Sequence, residues 1–122
     1  MKPKIYVAGQ MSGIENNNHN SFFKKEKELT EAGWDVVNPA RLDIEEGFNY
    51  VDTYSYEAAA SRDIKALKDC NAIYMMAGWE KSKGACWERA LAKFWDKLRF
   101  YEIPRADHEY RRECKTPSNN TQ

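Results

Sequence analysis

An alternation between short apolar runs and segments of helix length constrains the fold of this chain most strongly. Ile5–Ala8 and Ala72–Met76 are the clearest apolar runs, and each has the length of a buried strand. Strands separated by helices indicate βαβ units and a mainly parallel sheet. We therefore predict a compact three-layer α/β sandwich with a Rossmann-like sheet of four to five strands. The predicted strands are 5–8, 34–39, 72–76 and 99–103, and the predicted helices are 21–32, 53–68 and 85–98.

The length of 122 residues suits one domain. We expect that domain to span residues 1–104 and residues 105–122 to form a polar, disordered tail, because the tail has no apolar periodicity. Asparagines at 16–20 offer N-cap oxygens to the first helix, and Gly33 is expected to end it. Residues 40–52 are polar and are expected to be irregular; the part from 41 to 52 is expected to shape specificity.

The composition limits the classes of partner. Lysine and arginine together number 19, as do aspartate and glutamate, so the formal net charge is zero. This balance argues against a nucleic-acid polymer or a membrane surface as partner. The three cysteines form no C-x-x-C pair, and His19 and His108 lie far from any cysteine pair, so we expect no disulfide framework, no metal and no other cofactor. With no signal-peptide core and no membrane-length apolar stretch, a cytoplasmic location is expected.

The segment Ser82–Glu88 carries the most specific chemical signal. It follows the strand 72–76 and opens a helix whose apolar residues recur at 87, 91, 94, 95 and 98. This spacing predicts that Glu88 lies in the first turn of that helix, just beyond the carboxyl end of a strand, where open α/β sheets bind ligands. The helix dipole favours an ionised carboxylate or a bound phosphate at this position. Glu88 is therefore a candidate nucleophile.

A second carboxylate interrupts the apolar stripe of the helix 53–68. Tyr56, Ala60, Ile64 and Leu67 form the stripe, and Asp63 falls within it. An inward carboxylate is costly unless it is paired. Either Asp63 is a structural residue that pairs with Arg62 or caps a loop, or it faces a pocket shared with Glu88, where burial would raise its pKa.

These residues resemble the nucleoside 2-deoxyribosyltransferase-like family over about residues 4 to 103. The matching motifs are Tyr6-x-x-Gly9, Asn38-Pro39, Asp63 and Ser82-x-Gly84-x-x-x-Glu88. The run Gly78-Trp79-Glu80-x-Ser82-x-Gly84-Ala85 is similar to a small phage and bacterial branch of unknown function.

The resemblance implies cleavage of an N-glycosidic bond in a (deoxy)nucleoside 5′-monophosphate. Glu88 would attack the anomeric carbon, Asp63 would protonate or orient the base, and Tyr6 would line the sugar site. Water would then complete a hydrolysis, or a second base a deoxyribosyl transfer. The phosphate would be held by Ser82 and Gly84 and by the loop residues Gly9, Gln10, Met11, Ser12 and Gly13. The resemblance also implies a homodimer in which the neighbouring subunit completes the pocket. The chain departs from the family at Asn71, where an acidic residue is usual.

Plainer interpretations remain open. Tyr6 fits an apolar core, Ser82 could be only an N-cap, and Gly84 could only permit a turn. The same pocket could bind a nucleotide without cleaving it, as a sensor or sequestering protein. A subunit of a larger assembly that has lost the chemistry is a third possibility.

Overall fold

The apolar runs form strands of one parallel sheet, as predicted. The strands are β1 (Lys4–Ala8), β2 (Asp35–Val37), β3 (Ala72–Met75), β4 (Leu98–Tyr101) and the two-residue β5 (Glu113–Cys114). Their order is β2-β1-β3-β4-β5, and each neighbouring pair is parallel. This computed structural model describes residues 2–47, 53–104 and 113–114. The Rossmann-like α/β class is therefore confirmed.

Four α-helices in the described parts of the chain connect the strands. They are α1 (His19–Glu31), α2 (Pro39–Glu46), α3 (Thr53–Lys68) and α4 (Lys83–Phe94). A turn at Glu15–Asn18 precedes α1, and its three asparagines have left-handed φ of 54°, 51° and 61°. A short 3₁₀ turn at Trp79–Lys81 precedes α4. The bounds of α3 agree with the predicted helix 53–68. Within the described ranges, no helix combines the length and apolarity needed to cross a membrane.

The core lies on both faces of the sheet because successive strand side chains point to opposite sides. On one face, strand residues such as Val7 and Tyr74 pack with Phe22 and Leu29 of α1 and with Ala40 of α2. The other face is covered by α3 and α4, whose buried contributions are Leu67, Ala85 and Ala92. Tyr6, Ala8, Ile73, Met75 and Tyr101 are the strand residues on this second face. The three-layer architecture follows from this arrangement.

The expectation that residues 40–52 are irregular is wrong for the described part of that segment. Asn38 caps α2, because its Oδ1 accepts a hydrogen bond of 2.9 Å from the backbone N–H of Ala40. Pro39 occupies the first turn, where its fixed φ suits a helix. Gly47 ends α2 in the left-handed conformation at φ 70°. The Asn38-Pro39 pair therefore starts a helix here as well as ending a strand. Residues 48–52 lie outside the described residues.

The predicted helix 85–98 is displaced. It begins at Lys83 and ends at Phe94, and Asp96 then turns the chain at φ 57° into β4. The predicted apolar stripe is only partly buried. Trp87 is 67% exposed and Phe94 is 82% exposed, whereas Leu91 and Trp95 pack against the core. The fully buried positions are Ala85 and Ala92. The spacing of large apolar side chains does not indicate which face of this helix is buried, because its fully buried residues are alanines.

The ends of α1 show one confirmed and one wrong expectation. Gly33, with φ 103°, lies just beyond the helix end at Ala32, as predicted. Asn18 stands at the N-cap but makes no capping hydrogen bond with its side chain. Its Nδ2 instead donates to the carbonyl of Gln10 at 2.8 Å, which ties the start of α1 to the loop after β1.

The segment after residue 104 is described only at Glu113–Cys114, which pairs with β4 in the register Arg99↔Glu113. The proposed domain end at residue 104 stays a prediction. Apart from Glu113 and Cys114, the tail residues for which disorder is expected lie outside the described residues.

Candidate functional site

A cleft opens at the carboxyl edge of the sheet, beside the end of β1. The topological switch point lies between β1 and β3, because β1 connects to β2 on one side and β3 connects to β4 on the other, which opens a crevice. The cleft encloses about 590 Å³ when counted out to its open mouth. The residues that line it are Tyr6, Ala8, Gly9, Met11, Ser12, Phe22, Pro39, Ala59, Ala60, Asp63, Ser82, Gly84, Ala85 and Glu88.

Tyr6 and Glu88 meet at the floor of this cleft. Tyr6 is wholly buried on β1, and its hydroxyl donates a hydrogen bond of 2.7 Å to Oε2 of Glu88. Burial, reinforced by the nearby carboxylates, raises the pKa of the Tyr6 hydroxyl well above its usual value, so this group stays a neutral donor. Tyr6 therefore belongs both to the core and to the cleft.

Glu88 is not in the first turn of its helix. It is the sixth residue of α4, and that helix has no acidic residue in its first turn. The helix dipole acts mainly within the first turn, so it does little to hold this carboxyl ionised.

Removal from water dominates the charge state of Glu88. It raises the pKa of the carboxyl to about 8; the hydrogen bond from Tyr6 opposes the rise and the charge of Asp63 adds to it. Glu88 is therefore protonated at neutral pH. The expectation that the helix dipole holds this carboxylate ionised is not met, because desolvation outweighs the one hydrogen bond.

Asp63 faces inward, although the apolar stripe around it is shifted from the predicted one. Ala59 and Leu67 are buried on α3, whereas Ala60 is exposed at the cleft wall. The side chain of Asp63 is 14% exposed and lies between these buried positions. The side chain of Tyr56, another member of the predicted stripe, lies outside the described residues.

Both interpretations of Asp63 hold together. Its Oδ1 accepts hydrogen bonds from Arg62, at 3.0 Å from Nε and 2.6 Å from Nη2, and the same residue lines the cleft. Burial raises the pKa of Asp63 to about 6, against the opposing effect of Arg62. The cleft thus contains two carboxyl groups with different proton affinities.

Ser82 is the N-cap of α4. Its Oγ accepts a hydrogen bond of 3.0 Å from the backbone N–H of Ala85. Ser82 and Gly84 nevertheless lie in the cleft wall, at the N-terminus of a twelve-residue helix. The hydroxyl keeps its own hydrogen for donation to a ligand.

The loop after β1 reaches the cleft in part. Gly9, Met11 and Ser12 line it, whereas Gln10 and Gly13 are not among the lining residues. Gln10 instead reaches along its own loop, donating to the carbonyl of Ser12 at 3.3 Å. A Cβ at Gly9 would lie 2.6 Å from Cε of Met76, so lack of space favours glycine at this position.

Sequence reasoning missed two parts of the site. One is the ion-pair network around Arg62, which depends on the unexpected helix α2 and includes Asp43 and Glu46. The other is the wall of small residues, Ala59 and Ala60, for which the run Ala58–Ala60 was the available signal. Among the described residues, no group of three or more His, Cys, Asp or Glu side chains is arranged to hold a metal ion.

Fold and site together define a small α/β protein with a cleft at the switch point of a parallel sheet and two carboxyl groups in the cleft wall. A family model described as a domain of unknown function (DUF4406) matches residues 3–99, and the chain belongs to that family. No curated protein matches the chain. The matched region contains every residue of the cleft.

Proposed function

We propose that this protein cleaves the N-glycosidic bond of (deoxy)nucleoside 5′-monophosphates through a covalent intermediate on Glu88. The observation that carries the proposal is that Glu88 and Asp63, from two different helices, line one cleft and differ in pKa. Two carboxyl groups with divided roles, one nucleophile and one acid, are what retaining cleavage of a glycosidic bond requires.

In the first step, an ionised Glu88 attacks the anomeric carbon. Oε2 accepts the hydrogen bond from Tyr6, so Oε1 is the oxygen placed to form the new bond. The bond from the anomeric carbon to the base nitrogen breaks, and the base leaves with that electron pair and a proton from Asp63. In the second step, water or another base attacks the same carbon and gives its proton to the Asp63 carboxylate. The bond from that carbon to Glu88 breaks, and Glu88 leaves with the electron pair as a carboxylate.

The protonation states of Glu88 and Asp63 determine which protein molecules can react. Between pH values of about 6 and 8 the pair holds one proton, and Glu88 holds it in most molecules. The reactive arrangement has Glu88 ionised and Asp63 protonated. The two states are coupled, because the charge of Asp63 raises the pKa of Glu88 and its neutralisation removes that effect. The enzyme would therefore react through the less populated state, in which Asp63 holds the single proton and Glu88 is ionised.

The N-terminus of α4 supports a phosphate on the substrate. Ser82 places a hydroxyl and Gly84 a backbone N–H in the cleft wall, and the helix dipole favours an anion there. The loop residues Gly9, Met11 and Ser12 line the same cleft. A nucleoside 5′-monophosphate suits this arrangement, with its phosphate at α4 and its base towards Asp63.

One observation favours a second candidate, a protein that binds a nucleotide without cleaving it. Glu88 is protonated at neutral pH and hydrogen-bonded to Tyr6, and a neutral carboxyl is a binding group rather than a nucleophile. Such a binder would hold one nucleotide per cleft and return it intact.

A chromatographic assay for free base separates these candidates. Wild type, Glu88→Gln and the control Glu31→Gln are incubated with a panel of deoxy- and ribonucleoside monophosphates. The control makes the same chemical change at an exposed residue, the last of α1, which is not among the residues that line the cleft. We expect base release by wild type and Glu31→Gln but not by Glu88→Gln. A new nucleotide formed only with an added acceptor base would make the enzyme a transferase.

Undiminished release by Glu88→Gln would contradict the covalent mechanism. Intact nucleotide bound one to one, with no release by any variant, would favour the binder.

We also propose a homodimer, by extension of the resemblance on which the substrate class rests. Light scattering during size-exclusion chromatography should then give twice the 14.2 kDa mass of one chain. A mass of one chain would contradict it.

A further inference from the structure

Arg62 connects helix α2 to the carboxyl group of Asp63 in the cleft. Its Nη2 lies 2.7 Å from Oδ1 of Asp43 and 2.6 Å from Oδ1 of Asp63. Its Nη1 lies 3.3 Å from Oε1 of Glu46. The Asp43 side chain is 3% exposed and that of Arg62 is 15% exposed, so most of this network is out of contact with water.

We propose that Arg62 is a positioning residue for bond cleavage: anchored by α2, it occupies Oδ1 of Asp63 and leaves Oδ2 to exchange a proton with the departing base. The inference rests on the proposed function and concerns how that function is achieved. Arg62 itself does not transfer the proton, since a guanidinium stays charged at any working pH.

The geometry of the hydrogen bonds selects the oxygen. Nε and Nη2 of Arg62 both donate to Oδ1 of Asp63, at 3.0 and 2.6 Å. An oxygen that accepts two charge-assisted hydrogen bonds is a poor site for a proton, so the proton of Asp63 resides on Oδ2. The same bonds prevent the carboxyl from rotating. When the base leaves with the proton, Arg62 stabilises the resulting carboxylate.

The anchoring by α2 keeps the guanidinium in place. Asp43 accepts a hydrogen bond from Nη2 and Glu46 accepts one from Nη1, and Nη2 also lies 3.5 Å from the carbonyl of Pro39. A lysine would retain the charge but could not bridge these groups with one planar set of donors. The charged and titratable groups that face Asp63 are therefore Arg62 on its own helix, Asp43 and Glu46 on α2, Tyr6 on β1 and Glu88 on α4.

A comparison of two leaving groups tests the proposal. The monophosphate that wild type cleaves is paired with a derivative whose base needs no proton to leave, N7-methylated for a purine or 5-nitro-substituted for a pyrimidine. General acid catalysis contributes about 10²- to 10⁴-fold, so we expect Arg62→Gln to lower kcat on the ordinary nucleotide by about tenfold or more. On the derivative we expect a loss of less than about threefold. Asp63→Asn should show the same selectivity, and Arg62→Lys should resemble Arg62→Gln.

Arg41→Gln is the matched control. Arg41 also joins α2 to a neighbouring helix, with Nη2 3.0 Å from Oε2 of Glu26, but it is not among the residues that line the cleft. We expect this variant to keep the wild-type ratio of kcat values on the two substrates.

Arg62→Gln leaves the buried charge of Asp43 without its main partner, so the double variant Arg62→Gln/Asp43→Asn is measured beside it. Circular dichroism shows which variants are folded. An equal loss on both substrates in a folded variant would show a merely structural role and overturn the proposal. Wild type that cleaves neither substrate would overturn the proposed function, and this inference with it.

Discussion

The Tyr6 hydroxyl donates a 2.7 Å hydrogen bond to Oε2 of Glu88 and so joins β1 to α4 across 82 positions of sequence. One partner is a wholly buried core residue and the other is the candidate nucleophile. The orientation of the reactive carboxyl is thus set by the sheet as well as by its own helix.

Removing this hydroxyl should affect stability and charge together. We expect Tyr6→Phe to lower the free energy of unfolding by about 1–3 kcal/mol, because a buried carboxyl loses its donor. It should also raise the pKa of Glu88 further, because the Tyr6 hydrogen bond lowers that pKa. Urea unfolding and a pH–rate profile measure the two effects. Tyr101→Phe is the control, since the Tyr101 hydroxyl is bound by Arg89, at 2.7 Å from Nε. Loss of stability without a shifted pH profile in Tyr6→Phe would contradict the coupling.

The activity should have a bell-shaped dependence on pH. Below about pH 6 both cleft carboxyls are protonated and Glu88 cannot attack; above about pH 8 both are ionised and no proton is available for the base. We therefore expect kcat/KM to be highest between these values. Measurement across this range and beyond both ends of it gives the two apparent pKa values of the free enzyme. A rate that keeps rising well above the upper value would exclude Asp63 as an essential acid.

Stability should fall as the pH rises through the range in which Glu88 ionises. The pKa of Glu88 is about 8 in the folded chain, above its ordinary value of 4.5, so between these values the folded state binds more protons than the unfolded state. The free energy of unfolding then decreases by at most about 1.4 kcal/mol per pH unit from this group. Asp63 also lowers the free energy of unfolding as the pH rises from 3.8 to about 6.

Urea unfolding at a series of pH values between these limits measures the slope. Glu88→Gln should flatten it, whereas Glu31→Gln, which alters an exposed carboxyl on the other side of the sheet, should not. Equal slopes in wild type and Glu88→Gln would show that Glu88 is ionised in the folded chain.

Gly84→Ala should separate stability from ligand binding. A Cβ there would meet nothing closer than Oγ of Ser82 at 3.9 Å, and alanine favours the helix, so we expect stabilisation by about 0.4–1 kcal/mol. If phosphate approaches the backbone N–H of Gly84, the added methyl group should weaken nucleotide binding by several-fold. Thermal unfolding and calorimetric titration of Glu88→Gln, with and without Gly84→Ala, measure the two effects. Unchanged affinity would place the phosphate elsewhere.

The sequence predicts the parallel sheet and α3 because their signals are local. Ala72–Met75 is apolar throughout, and α3 begins at Thr53, as the pattern indicates. Helix α2 is missed because Asn38 and Pro39 indicate a strand end equally well. The end of α4 is misplaced because Phe94 and Trp95 extend the apparent periodicity, whereas the chain turns at Asp96.

The candidate site is likewise predictable where its signals are local and not where it depends on packing. The order of motifs indicates that Tyr6, Asp63 and Glu88 approach one strand edge, and the structure brings all three into the cleft. The charge of Glu88 is not predictable from its neighbours in sequence. Its pKa depends on how far three separate elements remove it from water, and that is known only once they are packed. Arg62 is identifiable as a partner of Asp63, but its anchors come from a helix that the pattern does not indicate.

Because Tyr6 is part of the packed interior, alterations that loosen the core around β1 will also move the group that orients Glu88. Directed evolution of this protein should therefore find that stabilising and activating substitutions interfere near β1. At exposed positions of α2 such as Ile44 and Glu45, by contrast, substitutions that leave Arg62 anchored can be accumulated without such interference.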